Sequence, residues 1–258
     1  MEFGPYEQIK CELLENDILS VQLNTPKFVN ALSFKSTDEL MDLWAKLRHD
    51  SPIRVVVLGG EGEKGFCGGA NIKENHPHDA HNYYDWQSKM GELLLAMRMI
   101  PQPIICMAHG LSIGGGFSLA MASDIRIITK DVRYSAFYAN VGIGGADMAS
   151  SYFLPRQIGT GRAYEYLLTG NFMYAEDAIN LGFVSRCVDT REQLMDSAME
   201  IARTIAKKDP LAVRLTKEAI NANIDCPGLI SALEIENRNQ TLMGMKNIAE
   251  GKPRPFAF

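Results

Sequence analysis

Two glycine-rich stretches hold the residues with the clearest chemical potential: "HGLSIGGGFSLAMASD", His109 to Asp124, and "KGFCGGANIKE", Lys64 to Glu74. A glycine-rich turn that opens a helix holds negative charge, because unpaired N–H groups and the positive end of the helix dipole point out of it. A phosphate is one such charge. The chain has no Gly-x-x-x-x-Gly-Lys-Ser/Thr string, however, and Gly114, Gly115 and Gly116 do not supply the GxGxxG spacing of a dinucleotide fingerprint. The alternative is a charge that exists only during a reaction. Two such turns, each following a strand of one parallel sheet, bring two backbone N–H groups to one point, the geometry of an oxyanion hole for a carbonyl oxygen. Glycine lets the backbone approach without a Cβ in the way. A helix opening behind Gly115 adds its dipole.

The elements that must position these turns follow from the apolar pattern. "QIKCELL" and "ILSVQL", joined by "ENDI", predict a hairpin. "IRVVVLGG", "PIICMAHG" and "DIRIIT" are apolar runs of strand length. Ser33 caps a helix whose Leu40, Met41, Leu43, Trp44 and Leu47 recur at helical spacing, and a second helix shows Leu93, Leu94, Met97 and Ile100 before Pro101 and Pro103. Alternating strands and helices predict right-handed crossovers and a mainly parallel sheet, hence an α/β fold. From about residue 190 three helical segments follow, two of them separated at Pro210, where proline suits a helix start. The expected division is a core over 1–195 and a helical region over 196–258.

A hydrophobic share of 46%, a charged share of 22% and a net charge of −5 fit a globular protein and give no electrostatic reason for a nucleic-acid or membrane partner. No apolar run approaches the roughly 18–20 residues of a membrane span. Five cysteines without a CxxC pair argue for reduced thiols, and the N-terminus has no signal-peptide pattern, so a cytoplasmic location is expected.

Several stretches in order, "TPKFVNALS", "EKGFCGGANIKE", "HGLSIGGGFSLAMASDIRI", "SSYFLPRQIGTGRAYEYLLTGN" and "AEDAINLGFVSRCV", resemble the enoyl-CoA hydratase/isomerase (crotonase) superfamily, over about residues 7 to 255. The resemblance implies a spiral (superhelix) of ββα units, a C-terminal helical region used to form homotrimers or hexamers, and an acyl-CoA thioester substrate. It implies no separate cofactor, since coenzyme A belongs to the substrate. By position, the N–H groups of Ala70 and Gly115 become the oxyanion donors. Lys64, Gly68, Ile72 and Lys73 fall along the nucleotide end of coenzyme A.

The acids depart from the family pattern. Hydratases of the superfamily hold water with two glutamates, and the matching positions here are Ser118 and Tyr138. Neither is a carboxylate, and an unperturbed tyrosine titrates near 10. The remaining acid is Asp147 in "VGIGGADMASSYFLPR". It reads either as the catalytic acid/base or as the cap of a helix beginning around Ala149. His76, His78 and His81 match no standard zinc spacing, so no metal is expected, although one of them could border the acyl pocket. Cys67 is expected to pack beneath the oxyanion turn, and His109 to be structural. A single acid suits double-bond isomerisation of an enoyl- or dienoyl-CoA, with Tyr138 included in the catalytic set and Ser118 contacting substrate. The alternatives are hydration with a non-standard acid/base set, hydrolytic C–C cleavage of a β-keto thioester, and a non-catalytic acyl-CoA binder.

Overall fold

The apolar runs become the buried strands of a six-stranded sheet. A computed structural model describes residues 3–49, 51–71, 74, 79–226 and 228–252. β1 (Ile9–Leu13) and β2 (Ile18–Leu23) form the expected antiparallel hairpin, with Ile9 opposite Leu23. α1 (Phe34–Arg48) then leads to β3 (Val55–Gly60), and α2 (Ala80–Met99) to β4 (Ile104–Ala108). Ser33 caps α1 as predicted, its hydroxyl accepting from Ser36 N at 3.0 Å. Trp86, Met90, Leu93, Leu94 and Met97 form the buried face of α2.

After β4 the chain alternates between two sheets. β5 (Leu111–Ile113) leaves the large sheet and opens α3 (Gly115–Ala122). β6 (Ile125–Thr129) returns to the large sheet, and β7 (Arg133–Ser135) rejoins β5. α4 (Ser150–Ile158), α5 (Thr160–Thr169), β8 (Met173–Tyr174), α6 (Ala175–Asn180), β9 (Arg186–Val188) and α7 (Arg191–Ala206) follow. The large sheet has the order β1-β2-β3-β4-β6-β9, parallel from β2 onward; the small one is β5-β7-β8. This stepping between sheets is the spiral that the resemblance implied. The small sheet was not foreseen.

Alternate residues of the large sheet face opposite sides, as the period of two requires. Val56, Leu58, Ile104 and Cys106 point into the main core, whereas Val55, Val57, Ile105 and Ile127 meet Leu194, Ala198, Met199 and Ala202 of α7. α7 therefore belongs to the sheet. The chain divides into Met1–Ala206 and Lys207–Phe258, so the expected boundary at 195 falls inside this helix.

In the second unit, α8 (Pro210–Asn223) is capped by Asp209, whose carboxylate accepts from Leu211 N at 2.9 Å and also binds Lys246 Nζ at 2.5 Å. α9 (Leu229–Ala249) leaves Leu229, Ile230, Leu242 and Met245 exposed. No described helix is long and apolar enough to cross a membrane.

Candidate active site

The two glycine turns are joined backbone to backbone. Phe66 N donates to His109 O at 2.9 Å, Cys67 N to Leu111 O at 3.1 Å, Leu111 N to Lys64 O at 3.1 Å and Ile113 N to Cys67 O at 3.0 Å. The segment after β2 joins the same assembly: Gly68 N donates to Val29 O at 2.7 Å, Leu32 N to Gly69 O at 2.7 Å and Asn71 N to Leu32 O at 2.8 Å. At its centre lies buried Asn30. Its Nδ2 reaches the carbonyls of Glu61, Gly65 and Phe66 at 2.9 to 3.2 Å, and its Oδ1 accepts from Thr25 N. Nothing in the sequence singled Asn30 out; its only signal is an asparagine among apolar neighbours. It ties the loop after β2 to the loop after β3.

This assembly brings the two glycine turns together. A methyl group on Gly69 would lie 3.5 Å from Gly115 N, and one on Gly114 would lie 3.6 Å from the Gly69 Cα. Gly114, with φ 52 and ψ −120, takes a conformation that side chains disfavour. Among the described residues no acceptor receives the N–H of Ala70 or that of Gly115. Gly115 is the first residue of α3, which is buried throughout, so its N–H carries the helix dipole into a water-poor setting. At the far end of α3, Arg126 Nη1 donates to Ser123 O at 2.7 Å and Ala120 O at 3.2 Å, and Arg98 Nη1 to Ala122 O at 3.1 Å. These cations offset the negative end of the helix. The arrangement can hold a charge that appears on a carbonyl oxygen.

The flanks are also defined. A Cβ on Gly115 would meet Leu32 Cδ1 at 2.9 Å and Met148 Sδ at 3.2 Å, so the loop that carries Asp147 lies beside the donor. Asp147 Oδ1 accepts from Met148 N at 2.7 Å, and Oδ2 from Gln87 Nε2 at 3.4 Å. The carboxylate does not cap α4. The N-cap residue is Ala149, without a side-chain bond, and it is the Asp147 carbonyl that accepts from Ser150 N at 2.9 Å. The capping alternative for Asp147 is thereby corrected: Met148 (φ 43) and Ala149 (φ 58) are both left-handed and turn the chain before the helix begins.

Left-handed backbone is strained for residues with a Cβ, by roughly 1–2 kcal/mol each. Ala149 is exposed. Ala149→Gly is therefore neutral to about 1 kcal/mol stabilising, opposite in sign to the usual loss for Ala→Gly in a helix. Thermal melting of the variant checks this.

Ser118 and Tyr138 face each other, both buried, with the hydroxyl oxygens 3.0 Å apart. Burial, and secondarily the charge of Asp147, push the Tyr138 phenol far above its ordinary range, despite the opposing Ser118 bond. The phenol of Tyr138 is consequently neutral at physiological pH and is held by its hydrogen bond to Ser118.

A family model described as enoyl-CoA hydratase/isomerase matches residues 14–254. The chain belongs to the enoyl-CoA hydratase/isomerase family. It is 35% identical over 217 residues to the (E)-benzylidenesuccinyl-CoA hydratase of Thauera aromatica, covering 83% of this chain and 82% of that one. The crystal structure of enoyl-CoA hydratase from Bacillus anthracis superposes with TM-score 0.87 at 30% identity, covering 95% of this chain and 97% of that one. A monofunctional enoyl-CoA isomerase from M. smegmatis superposes with TM-score 0.75 at 30% identity, covering 88% and 98%. The fold is accordingly the crotonase fold.

The remaining family-derived positions are distributed as follows. Lys64 is exposed at the start of the first turn, and Gly68 is half-buried in it. Ile72, Lys73, His76 and His78 lie outside the described residues. His81 is exposed on α2, with Nε2 3.7 Å from Asp85 Oδ2. His109 is structural: it is buried, Nε2 sits 2.9 Å from Gly62 O, and burial lowers its pKa. A cavity of about 490 Å³, lined by Lys10, Gln22, His109 and Arg191 among others, touches the second glycine-rich stretch only at His109 and contains neither Ala70 nor Gly115. Its cations are paired, Lys10 with Glu61 at 3.9 Å and Arg191 with Glu63 at 3.0 Å.

Cys67 lies behind the turn, as expected, and Cys106 on β4; burial pushes both thiols up to about 12. Alkylation proceeds through the thiolate. At pH 8 both should react at least about a thousand-fold more slowly than an ordinary thiol near 8.5. Mass spectrometry of native and unfolded protein treated with iodoacetamide reads the difference.

Proposed function

We propose that this protein isomerises the double bond of an enoyl-CoA or dienoyl-CoA thioester. The thioester oxygen sits between the N–H groups of Ala70 and Gly115. Asp147 takes a proton from the α- or γ-carbon, electron density moves to the thioester oxygen as a dienolate, and the same carboxyl group returns the proton at the other carbon. Substrate and product have the same composition, so one acid/base group suffices. Lys64 and Gly68 run along the nucleotide end of coenzyme A, which arrives with the substrate.

The observation that carries this reading is the buried, neutral Ser118–Tyr138 pair. Neither hydroxyl can act as a carboxylate base toward water, which leaves Asp147 to move the proton. Hydration is the second reading, favoured by the names of the Thauera and Bacillus relatives. Mass spectrometry of enoyl-, dienoyl- and β-ketoacyl-CoA thioesters incubated in deuterated water separates the readings. Isomerisation leaves the composition unchanged but shifts chromatographic retention, with deuterium entering only as far as the Asp147 proton exchanges with solvent; hydration adds one water, and C–C cleavage shortens the acyl chain. Thioesters that bind and stay unchanged would establish a binder instead.

The exposed apolar residues of α9 support assembly as a homotrimer or a hexamer, which would cover them. Light scattering at micromolar concentration is expected to show such an oligomer; a monomer overturns the assignment.

A further inference from the structure

We propose that Gln87 is a positioning residue that holds the Asp147 carboxylate in its working orientation; the inference rests on the reading of Asp147 as the acid/base. Gln87 occupies an unusual place on α2. Counting by three and four along the helix, it shares a stripe with the buried Met90 and Leu94, where an apolar side chain would be expected. Its neighbour Trp86 packs edge-on against Phe34, with ring centroids 4.4 Å apart, and Met90 Sδ meets Thr37 Oγ1 at 3.7 Å. α2 is thus anchored on both sides of Gln87.

The amide at this position reaches across 60 residues of sequence to Asp147 Oδ2, at 3.4 Å. Met148 N holds the other oxygen at 2.7 Å. A carboxylate free to rotate presents either oxygen in many directions; one held at both oxygens presents a single lone-pair direction. General acid–base transfer needs the accepting oxygen within hydrogen-bond reach of the proton. The loop carrying Asp147 contains Gly142, Gly144 and Gly145 and two left-handed residues, so it lacks the regular backbone that would fix the side chain by itself. Gln87 supplies that fixation from a helix.

The test uses the full-length protein with trans-3-hexenoyl-CoA as probe, reading isomerisation and deuterium incorporation. Gln87→Met keeps the length and removes the donor. It is expected to lower kcat about tenfold, the size of one hydrogen bond to a charged group, with KM and melting temperature little changed. Gln87→Glu keeps the shape but opposes Asp147 with a like charge. Its rate should lie below that of Gln87→Met at pH 7.5, and the ratio of the two should rise as pH falls and the new carboxyl gains a donor proton. In an Asp147→Asn background, Gln87→Met should add no further loss. Equal rates for the Met and Glu variants at every pH, or a Gln87→Met kcat within twofold of the parent while Asp147→Asn is crippled, overturns the positioning role and leaves the proposed function standing. An Asp147→Asn enzyme near parental rate overturns both.

Discussion

Asp147→Asn is expected to lower turnover about 100- to 10,000-fold, the range of a general acid–base residue, while affinity for the thioester changes little. The amide oxygen can still accept from Met148 N, so the loop keeps its shape, but it is no longer basic enough to take a carbon-bound proton. Because the side chain makes no cap bond to α4, the change in stability should stay within about 0.5 kcal/mol, as for substitutions away from buried networks. Ser118→Ala offers the contrast. It leaves the buried Tyr138 hydroxyl without its partner, for a stability loss on the order of 1–3 kcal/mol, with a much smaller effect on rate. Single-turnover rates and melting curves for both variants decide the matter. A rate within a few-fold of the parent for Asp147→Asn means that another group moves the proton.

Gly116→Ala attacks the oxyanion hole without removing either donor. A Cβ at this position would lie 2.7 Å from the Cβ of Cys67, and against the Cys67 carbonyl, which the Ile113 N–H already engages. Backbone cannot rotate aside as a flexible side chain can, so the two turns must separate. Loss of one aligned oxyanion donor typically lowers kcat about 100- to 1,000-fold, and overpacking destabilises by roughly 1–3 kcal/mol. Both losses should appear together, and Cys67→Ala should restore little of either, since it leaves the carbonyl in place. A Gly116→Ala enzyme with normal kcat would show that the junction between the turns does not hold the donors.

Legibility of the fold in the sequence followed the length of the signal. β2, β3, β4 and β6 are apolar runs of five or six residues, and Ser33 announces α1. β5 and β7 have three residues each and β8 two, too few to show a period, and the small sheet they form was invisible for that reason. The apolar stripe of α7 was readable, but its partner was not: an amphipathic helix does not say which surface it covers. An oxyanion hole followed from glycine turns after strands, and the assignment of its donors to Ala70 and Gly115 from the family resemblance. Asp147 was identified as an acid, yet its surroundings were misread in part, since nothing local to "GGADMAS" reveals two consecutive left-handed residues. Gln87 and Asn30 act through partners 31 to 60 residues away, and one sequence carries no trace of such pairings.

In the proposed site the charge-holding groups belong to the main chain. Ala70 and Gly115 contribute through amide hydrogens that every residue type except proline possesses, fixed by bonds between other amides and carbonyls. Point mutation can crowd these groups, and only a change to proline deletes one. The groups that move protons are side chains, and each can be exchanged by a single codon change. On this reading stabilisation of the enolate comes with the backbone fold, while the fate of that enolate is set by exchangeable side chains. The hydroxyl pair at positions 118 and 138 belongs to that exchangeable set, and directed evolution aimed at new thioester chemistry has its natural starting positions there and at 147.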